Sequence, residues 1–340
     1  MSLSLSAMPF EDIRSLIKDF PSIDNEAISK IRERDAQLTK PPKALGQLEE
    51  LAEWLGGWQK TATPKVQRPQ VAIFAANHGV VDQGVAPFPQ SVTAQMVANF
   101  TNGGAAINQI CKSNNLALKV FDLALELPTP DIMLEDAFNE KDCAATIAFG
   151  MEAISGGIDL LCIGEMGIGN TTIAASIYHA LYGGDSSEWV GPGTGLDDKG
   201  VAHKATVVKK AVERASGHNG DGLEVLRRLG GREIAAMVGA IIAARMENIP
   251  VVVDGYVATS AASILHAISP SAIDHCIIGH ASGEKPHAKV LTHLNKTALL
   301  DFNMKLGEGT GAALAAVMLR TAADIHTGMA TFAEAGVSDK

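Results

Sequence analysis

VAIFAANHG, residues 71–79, places a run of apolar residues directly before two polar side chains and a glycine. An uninterrupted apolar run of this length is typical of a strand that is buried on both faces, as in a parallel sheet. Open α/β sheets bind their ligands beyond the carboxyl ends of such strands, which is where Asn77 and His78 stand. A histidine in this position can equally be structural and bonded to backbone. The segment therefore predicts a parallel sheet and leaves the role of His78 open.

The same pattern recurs along the chain. Further strands are predicted in ALKVFDLAL (117–125), DLLCIG (159–164), IPVVVDGY (249–256) and IDHCIIGHAS (273–282). Right-handed crossovers through the intervening helices bring the carboxyl ends of these strands to one edge of the sheet. The polar side chains that follow the strands can then share one cleft: Asn77, His78, Glu165, Asp254, Tyr256, His280 and Ser282. The predicted fold class is α/β, with a doubly wound, mostly parallel sheet and helices on both of its faces.

The amino-terminal part has a helical pattern instead. The segments FEDIRSLIKDF, AISKIRERDAQL and LGQLEELAEWLGGW fall within residues 10–60 and are separated by proline-containing breaks. We predict a small helical lobe from residues 1–65 together with about 310–340, and an α/β domain from residues 66–309. A hydrophobic content of 46% with 33 glycines suits a large core with tight turns between strands and helices.

The overall charge and the cysteines exclude several classes of protein. A formal net charge of −10 disfavours a protein that mainly grips nucleic acid, since that affinity comes from neutralising phosphates. The four cysteines have no CxxC spacing and the ten histidines show no metal-ligand spacing, so no metal or disulfide framework is predicted. The start MSLSLSAMPFEDIR has no basic segment followed by an apolar one, and no apolar run reaches membrane-spanning length. We expect a cytoplasmic protein without a membrane partner.

The segment LGEGTGA, residues 306–312, isolates one carboxylate among three glycines before an apolar helix. With glycine on both sides of Glu308, no neighbouring side chain shields the backbone from a ligand, and left-handed backbone conformations are accessible. Thr310 is the predicted N-cap of the helix that follows. Glu308 can be a positioned catalytic base, or it can simply complement the positive end of the helix dipole. The loop alone does not decide between these two roles.

The segment GEMGIGNTT, residues 164–172, is a glycine-rich turn between a predicted strand and a helix. The free N–H groups and the dipole at such a helix start favour an anion, which makes Asn170 and Thr171 candidate ligands. The turn has no lysine before its threonine pair and is not a full GxGxxG, so it matches neither common phosphate loop. Tight packing of strand and helix accounts for the glycines equally well.

A second glycine run, GPGTGLDD (191–198), leads into a helix that carries Lys204, Lys209 and Lys210. Most lysines on such a helix are solvated, and the pattern alone does not select one of them as a phosphate ligand.

Several segments, taken in order, resemble the nicotinate-nucleotide dimethylbenzimidazole phosphoribosyltransferase family. The matching segments run from about residue 38 to the carboxyl end: KPP..LG.LEELA, FAANHGV.DQGVAPFPQ.VT, GEMGIGNTT, GTGLDD, VDGYVATSAA, GHASGEK and LGEGTGAALA. This resemblance implies a doubly wound sheet with a helical lobe and a homodimer. It also implies transfer of 5-phosphoribose from nicotinate mononucleotide to 5,6-dimethylbenzimidazole, which gives α-ribazole 5′-phosphate and nicotinate for the lower ligand of cobalamin. No cofactor is implied.

The resemblance also implies roles for individual residues. Glu308 corresponds to the general base, and Glu165 is expected beside the ribose, where its charge can stabilise the transition state. Attack from the face opposite the leaving group is expected to invert C1′. The implied residues around the nucleotide and its phosphate are Gly167, Asn170, Thr171, Lys204, Gly255 and Ser282. The implied pocket for the acceptor base, centred on residues 85–96, contains His78, Pro87, Phe88, Met96, Met166 and Leu306.

Some positions depart from the family pattern. Asn77 stands where well-known members carry Asp, and Lys43 and Ala44 stand where they carry Gly-Ser. Phe88 and Met96 replace Ser and Gln of some relatives near the acceptor. These changes leave open whether the acceptor is a benzimidazole, a purine or a phenol. A nucleotide-binding regulator without turnover is a further alternative, although a pure binder has no use for a base beside the acceptor.

Overall fold

The computed structural model describes residues 8–338. Residues 1–7, 339 and 340 lie outside the described residues. They include both ends of the predicted helical lobe and part of the start for which no signal sequence is predicted. Within 8–338 the chain forms a six-stranded parallel sheet in the order β2-β1-β3-β4-β5-β6. The strands are β1 Pro69–Ala75, β2 Ala117–Asp122, β3 Leu160–Met166, β4 Val251–Val253, β5 Cys276–His280 and β6 Ala298–Leu300.

The sheet confirms the predicted fold class. Because β2 lies on one side of β1 and β3 on the other, the chain reverses its winding direction between β1 and β3, where doubly wound sheets open a ligand crevice. The five predicted strands are all present, although the strand predicted in IPVVVDGY is confined to three residues. The short edge strand β6 was missed, because three residues give no recognisable alternation.

Helices surround the sheet. Their bounds are α1 Pro9–Lys18, α2 Asn25–Asp35, α3 Gln47–Gln59, α4 Ser91–Thr101, α5 Ala106–Ser113, α6 Glu140–Gly150, α7 Asn170–Tyr182, α8 Asp198–Arg214, α9 Gly222–Leu229, α10 Arg232–Met246, α11 Tyr256–Ile268, α12 Pro286–Leu294, α13 Thr310–Gly328 and α14 Phe332–Ala335. Short 3-10 helices cover Gly79–Gln83, Met151–Ile154, Ser186–Glu188 and Pro270–Ile273. None of the helices within 8–338 is long and apolar enough to cross a membrane.

Alternate residues of the central strands enter two separate cores. In β1, Ala72 and Phe74 join the core formed with α6 to α12, whereas Val71 and Ile73 join the core formed with α3, α4, α5 and α13. This alternation is the period-2 geometry of a strand, and it explains why all of β1 is apolar.

The amino- and carboxyl-terminal segments meet. Helix α13 packs on β3, β4 and β5 and also on α3, and α3 packs on α2. An isolated antiparallel bridge joins Leu38 to Thr331, and the N–H of Thr39 donates to the carbonyl of Ala330 at 3.1 Å. These contacts bring together the two chain segments assigned to the helical lobe, and the domain boundary itself stays a prediction.

Candidate active site

Glu308 lies in a strained loop directly before α13. Gly307, Glu308 and Gly309 all have positive φ angles, of 82°, 61° and 72°. A side chain other than glycine is uncommon in this region, so the tertiary structure must hold Glu308 there. The expectation that Thr310 is the N-cap is wrong. Thr310 is the first helical residue, Gly309 precedes it, and the Thr310 hydroxyl donates to the carbonyl of Gly307 at 2.8 Å.

Asp254, which follows β4, anchors this loop. Its carboxylate accepts hydrogen bonds from the N–H groups of Gly309 at 3.2 Å and of Ala312 at 2.9 Å, and so satisfies two free donors at the start of α13. The loop also lies directly on β3, because a Cβ on Gly164 would overlap the backbone of Gly309. A buried carboxylate at a helix N-terminus and a glycine contact therefore fix the position of Glu308.

The carboxyl group of Glu308 is buried, and one of its oxygens lacks a hydrogen bond within residues 8–338. Glu308 is 5% exposed, and its Oε2 atom has no hydrogen-bond partner within the described residues. Burial, and next the negative charge of Asp254, raise the pKa of Glu308 to about 7. A carboxyl group with this pKa can exchange a proton near neutral pH, which is what a general base requires.

Glu165 is the penultimate residue of β3 and is buried beside the same loop. Its carbonyl oxygen accepts the N–H of Glu308 at 3.2 Å, and its carboxylate accepts a hydrogen bond from the amide of Asn170. Burial, and then the charges of Asp254 and Glu233, raise the pKa of Glu165 well above its ordinary value. This shift favours the protonated form of the Glu165 carboxyl group, and a cation placed beside it would favour the loss of its proton.

A cleft opens at the carboxyl edge of β3, β4 and β5. It brings together many of the residues proposed from the sequence: Glu165, Met166, Gly167, Asn170, Thr171, Gly255, Ser282 and Leu306. Backbone close to the cleft leaves no room for a side chain at Gly167, where a Cβ would lie 2.7 Å from the carbonyl oxygen of Ala76. Glu308 lies just behind this cleft, since Leu306 and Gly307 form its wall.

Lys204 is a buried cation behind the helix start at Thr171. It is 1% exposed, and its Nζ donates to the hydroxyl of Thr171 at 2.7 Å and to the carbonyl of Gly191 at 3.3 Å. Burial lowers its pKa to about 8, against the opposing charge of Glu284. Lys209 and Lys210 on the same helix are exposed. Structure thus separates the three lysines that the sequence pattern could not separate.

Four residues assigned to the base pocket lie away from the wall of this cleft. His78 is fully buried under the β3–α7 turn, with Nε2 at 3.2 Å from Oε1 of Glu233. Pro87 and Phe88 are exposed on the loop after the Gly79–Gln83 helix, and Met96 is half-buried on α4. Met96 and Met166 pack against the same core, and α4 contacts β3, the strand that ends at the cleft.

The positions that depart from the family pattern lie in two places. Asn77 is buried, and its amide donates to the carbonyl of Leu125 at 2.9 Å. Lys43 and Ala44 are exposed, and Lys43 has a positive φ of 60°. Asn77 thus has a structural hydrogen bond beyond the end of β1.

Sequence reasoning gave no individual function to three buried carboxyl groups. Asp254 anchors α13, Glu233 pairs with His78, and Glu284 accepts the N–H of Gly193 at 3.0 Å with its Oε1 atom. The position after β4 singled out Asp254 as a strand tip, and GHASGEK contains Glu284. No local signal marks Glu233, which lies in the first turn of the mostly apolar helix α10. Within residues 8–338 there is no group of three or more His, Cys, Asp or Glu placed to hold a metal ion.

The fold and the site together define a doubly wound α/β protein with a ligand cleft at the carboxyl edge of its sheet, lined by a helix start and two buried glutamates. Comparison with known proteins narrows this class. A family model described as phosphoribosyltransferase matches residues 20–337. The nicotinate-nucleotide–dimethylbenzimidazole phosphoribosyltransferase of Rhizobium johnstonii is 63% identical over 338 residues, covering 99% of this chain and 100% of the relative. The protein of the same name from a Sinorhizobium species is 64% identical, with the same coverage.

Comparison with solved structures points to the same family. The crystal structure of CobT from Thermus thermophilus superposes with a TM-score of 0.86 at 40% identity, covering 93% of this chain and 100% of that chain. The chain belongs to the nicotinate-nucleotide–dimethylbenzimidazole phosphoribosyltransferase family, and it is a phosphoribosyltransferase.

Proposed function

We propose that this protein transfers 5-phosphoribose from nicotinate mononucleotide to 5,6-dimethylbenzimidazole, and that the α-ribazole 5′-phosphate formed serves cobalamin assembly. The names of its relatives support the substrates. The observation that carries the mechanism is the buried carboxyl group of Glu308, which has an unpartnered oxygen and a pKa of about 7 beside the cleft.

The chemistry requires one base and no general acid. The ring nitrogen of nicotinate mononucleotide that is bonded to C1′ is formally cationic, so nicotinate departs with the bonding electron pair and needs no proton. The incoming benzimidazole attacks C1′ through one nitrogen, and its other nitrogen must lose its hydrogen for the product to be neutral. Glu308 accepts that proton and passes it to water. Attack on the face opposite the leaving group inverts C1′ and gives the α product.

Glu165 is proposed to face the ribose. As nicotinate leaves, C1′ resembles an oxocarbenium ion, and a nearby carboxylate stabilises that charge. Burial raises the pKa of Glu165 and so opposes its ionisation, and the cationic ring of the bound nucleotide favours the ionised form that this role needs. Asn170 donates to this carboxyl group and holds its orientation.

The phosphate is proposed to bind at the amino end of α7. Thr171 and Ser282 line the cleft there, and Lys204 reaches the hydroxyl of Thr171 from behind. The positive end of the helix dipole would stabilise a dianionic phosphate, and the phosphate charge would raise the pKa of the buried lysine. The acceptor is proposed to lie toward Met166 and Leu306, with α4 and the loop of Phe88 completing its pocket. A homodimer, as the resemblance implies, is part of this proposal.

Chromatography of nicotinate release, with and without a panel of acceptors, tests this function. Release that requires dimethylbenzimidazole supports the proposal. Release only with a purine or a phenol would assign a different acceptor, as the changes at Phe88 and Met96 allow. No release with any acceptor, from protein that binds the nucleotide, would make the chain a binding protein.

A further inference from the structure

A second cavity lies at the opposite edge of the sheet from the cleft. It has a volume of about 470 Å³, within the range of small-molecule sites. Ser269, Ser271 and Asp274 form part of its wall and precede β5, whereas His280 and Ser282 of the cleft lie at and beyond the end of that strand. The length of β5 therefore separates the two sites, and the cavity is no part of the proposed reaction.

An unneutralised arginine forms one wall of the cavity. Arg245, at the end of α10, is 4% exposed, and its guanidinium carbon lies 4.1 Å from the ring centre of Trp58 and 5.5 Å from that of Phe20. Its Nε donates to the carbonyl of Pro21 at 2.8 Å and its Nη1 to Nδ1 of His275 at 3.3 Å. No carboxylate within residues 8–338 lies within 4.0 Å of it. A buried cation without an ionic partner is costly, and a bound anion would remove that cost.

The polar groups around the cavity are mostly donors. The indole N–H of Trp58 is buried without an acceptor within the described residues. Lys18 adds an ammonium group, and the hydroxyls of Ser269 and Ser271 lie 3.1 Å apart on the rim. The only carboxylate among the lining residues is that of Asp274. This excess of donors selects an acceptor-rich, negatively charged group.

The net charge of the wall favours a monoanion. Arg14 already has carboxylate partners outside the cavity: the two oxygens of Asp221 accept its Nη2 at 2.9 and 2.8 Å, and Oε1 of Glu11 lies 3.3 Å from its Nε. Of the other charged residues that line the cavity, Lys18 and Arg245 are cations and Asp274 is the single carboxylate, which leaves one positive charge on this part of the wall. Ile17, Ile23 and Ile268 with the ring of Phe20 provide an apolar surface next to these charges. A flat apolar ring that carries one carboxylate matches both the charged residues and the apolar surface of the cavity.

We propose that this cavity binds a small aromatic monocarboxylate, with its carboxylate on Arg245 and its ring on the isoleucine and Phe20 surface. Nicotinate, the proposed leaving group, belongs to this class, but the proposal does not depend on turnover.

Calorimetric titration of the full chain with benzoate tests the proposal. Ser271→Glu places a carboxylate on the exposed rim, and Ser113→Glu adds the same charge at the exposed end of α5, outside this cavity. We assign to the cavity only the benzoate binding that is lost in Ser271→Glu and retained in Ser113→Glu. Benzoate that binds in the cleft should be unaffected by either variant and is therefore not assigned to the cavity. We expect Ser271→Glu to weaken that component about tenfold or more, because a like charge is placed at short range. Neutral benzamide should give no such component.

Three results would overturn the proposal. These are equal benzoate binding by the parent chain and both variants, no binding at all, or a rim-sensitive component seen with inorganic phosphate and not with benzoate. Arg245→Lys should also weaken the component, and thermal unfolding checks that this buried substitution leaves the chain folded. If Arg245→Lys fails to fold, the exposed Ser271 variant still decides the matter.

Discussion

The backbone N–H of Glu308 donates to the carbonyl oxygen of Glu165 at 3.2 Å, so the two proposed catalytic carboxyl groups are attached to one hydrogen-bonded junction between β3 and the loop before α13. Asp254 accepts two N–H groups from the same loop on its other side. The spacing of these groups is thus set by rigid elements, which is what proton transfer and charge stabilisation require.

Glu308→Gln should lower kcat by roughly 10²- to 10⁴-fold and leave the KM for the nucleotide nearly unchanged, because the amide keeps the shape of the side chain and cannot accept the proton. Steady-state nicotinate release measures both constants. Glu188→Gln, a change at an exposed glutamate far along the chain, serves as the control. A Glu308 variant with parental kcat would remove this residue from the mechanism.

The same substitution should change stability in a pH-dependent way. The folded-state pKa of Glu308 is about 7, above its ordinary value of 4.5, so the folded protein binds the proton more tightly than the unfolded chain. The free energy of unfolding therefore falls as pH rises from about 4.5 to about 7. Glu308→Gln lacks this loss and should be more stable than the parent by about 1–3 kcal/mol at pH 8, with the gain absent at pH 4.5. Urea unfolding at the two pH values measures the difference, and an equal effect at both would contradict the buried carboxylate.

Asp254→Asn should move the pH profile of activity. In the parent, kcat/KM should fall below a pKa of about 7 as Glu308 becomes protonated. Removal of the Asp254 charge lowers the pKa of Glu308, and the acid limb should shift to lower pH. The variant should also lose about 1 kcal/mol of stability, because the two oxygens of Asp254 accept the N–H groups of Gly309 and Ala312, and an asparagine amide keeps one of these acceptors. If stability falls and the limb stays in place, Asp254 has a structural role alone.

Lys204→Ala should raise the KM for the nucleotide far more than the KM for the acceptor, because the lysine acts through the phosphate end of the cleft. Lys210→Ala is a matched control on the same helix, with an exposed side chain. Initial rates with each substrate varied in turn separate the two constants. Equal effects on both substrates, or equal effects of both variants, would argue against a phosphate role for Lys204.

Much of the fold could be predicted from the sequence because β1 and β3 are long apolar runs, and such runs have few alternatives to a buried strand. β6 was missed because three half-buried residues carry no periodic signal. The cleft could be anticipated because parallel strands place their tips at one edge, so Glu165, Asp254 and Ser282 were recognisable together.

The rest of the site depends on contacts between distant segments. The burial of Lys204 follows from the packing of α8 on α7, and the pairing of His78 with Glu233 joins residues more than 150 positions apart in sequence. Thr310 has the residue type of an N-cap, but the N–H groups at the start of α13 donate instead to Asp254, which follows β4. The sequence near residue 310 gives no sign that the helix is capped by a residue from another segment.

Helix α13 supplies one face of the core and follows the loop of Glu308, although it is among the last elements of the chain. At a synthesis rate of about 5–20 residues per second, the nascent chain waits on the order of ten seconds between the emergence of β3 and that of α13. During this interval the parts of β3, β4 and β5 that α13 covers lack this helix. Because the Glu308 loop directly precedes α13, synthesis of this last stretch completes both the core and the candidate active site. A chain that stops before residue 306 lacks both the loop and α13.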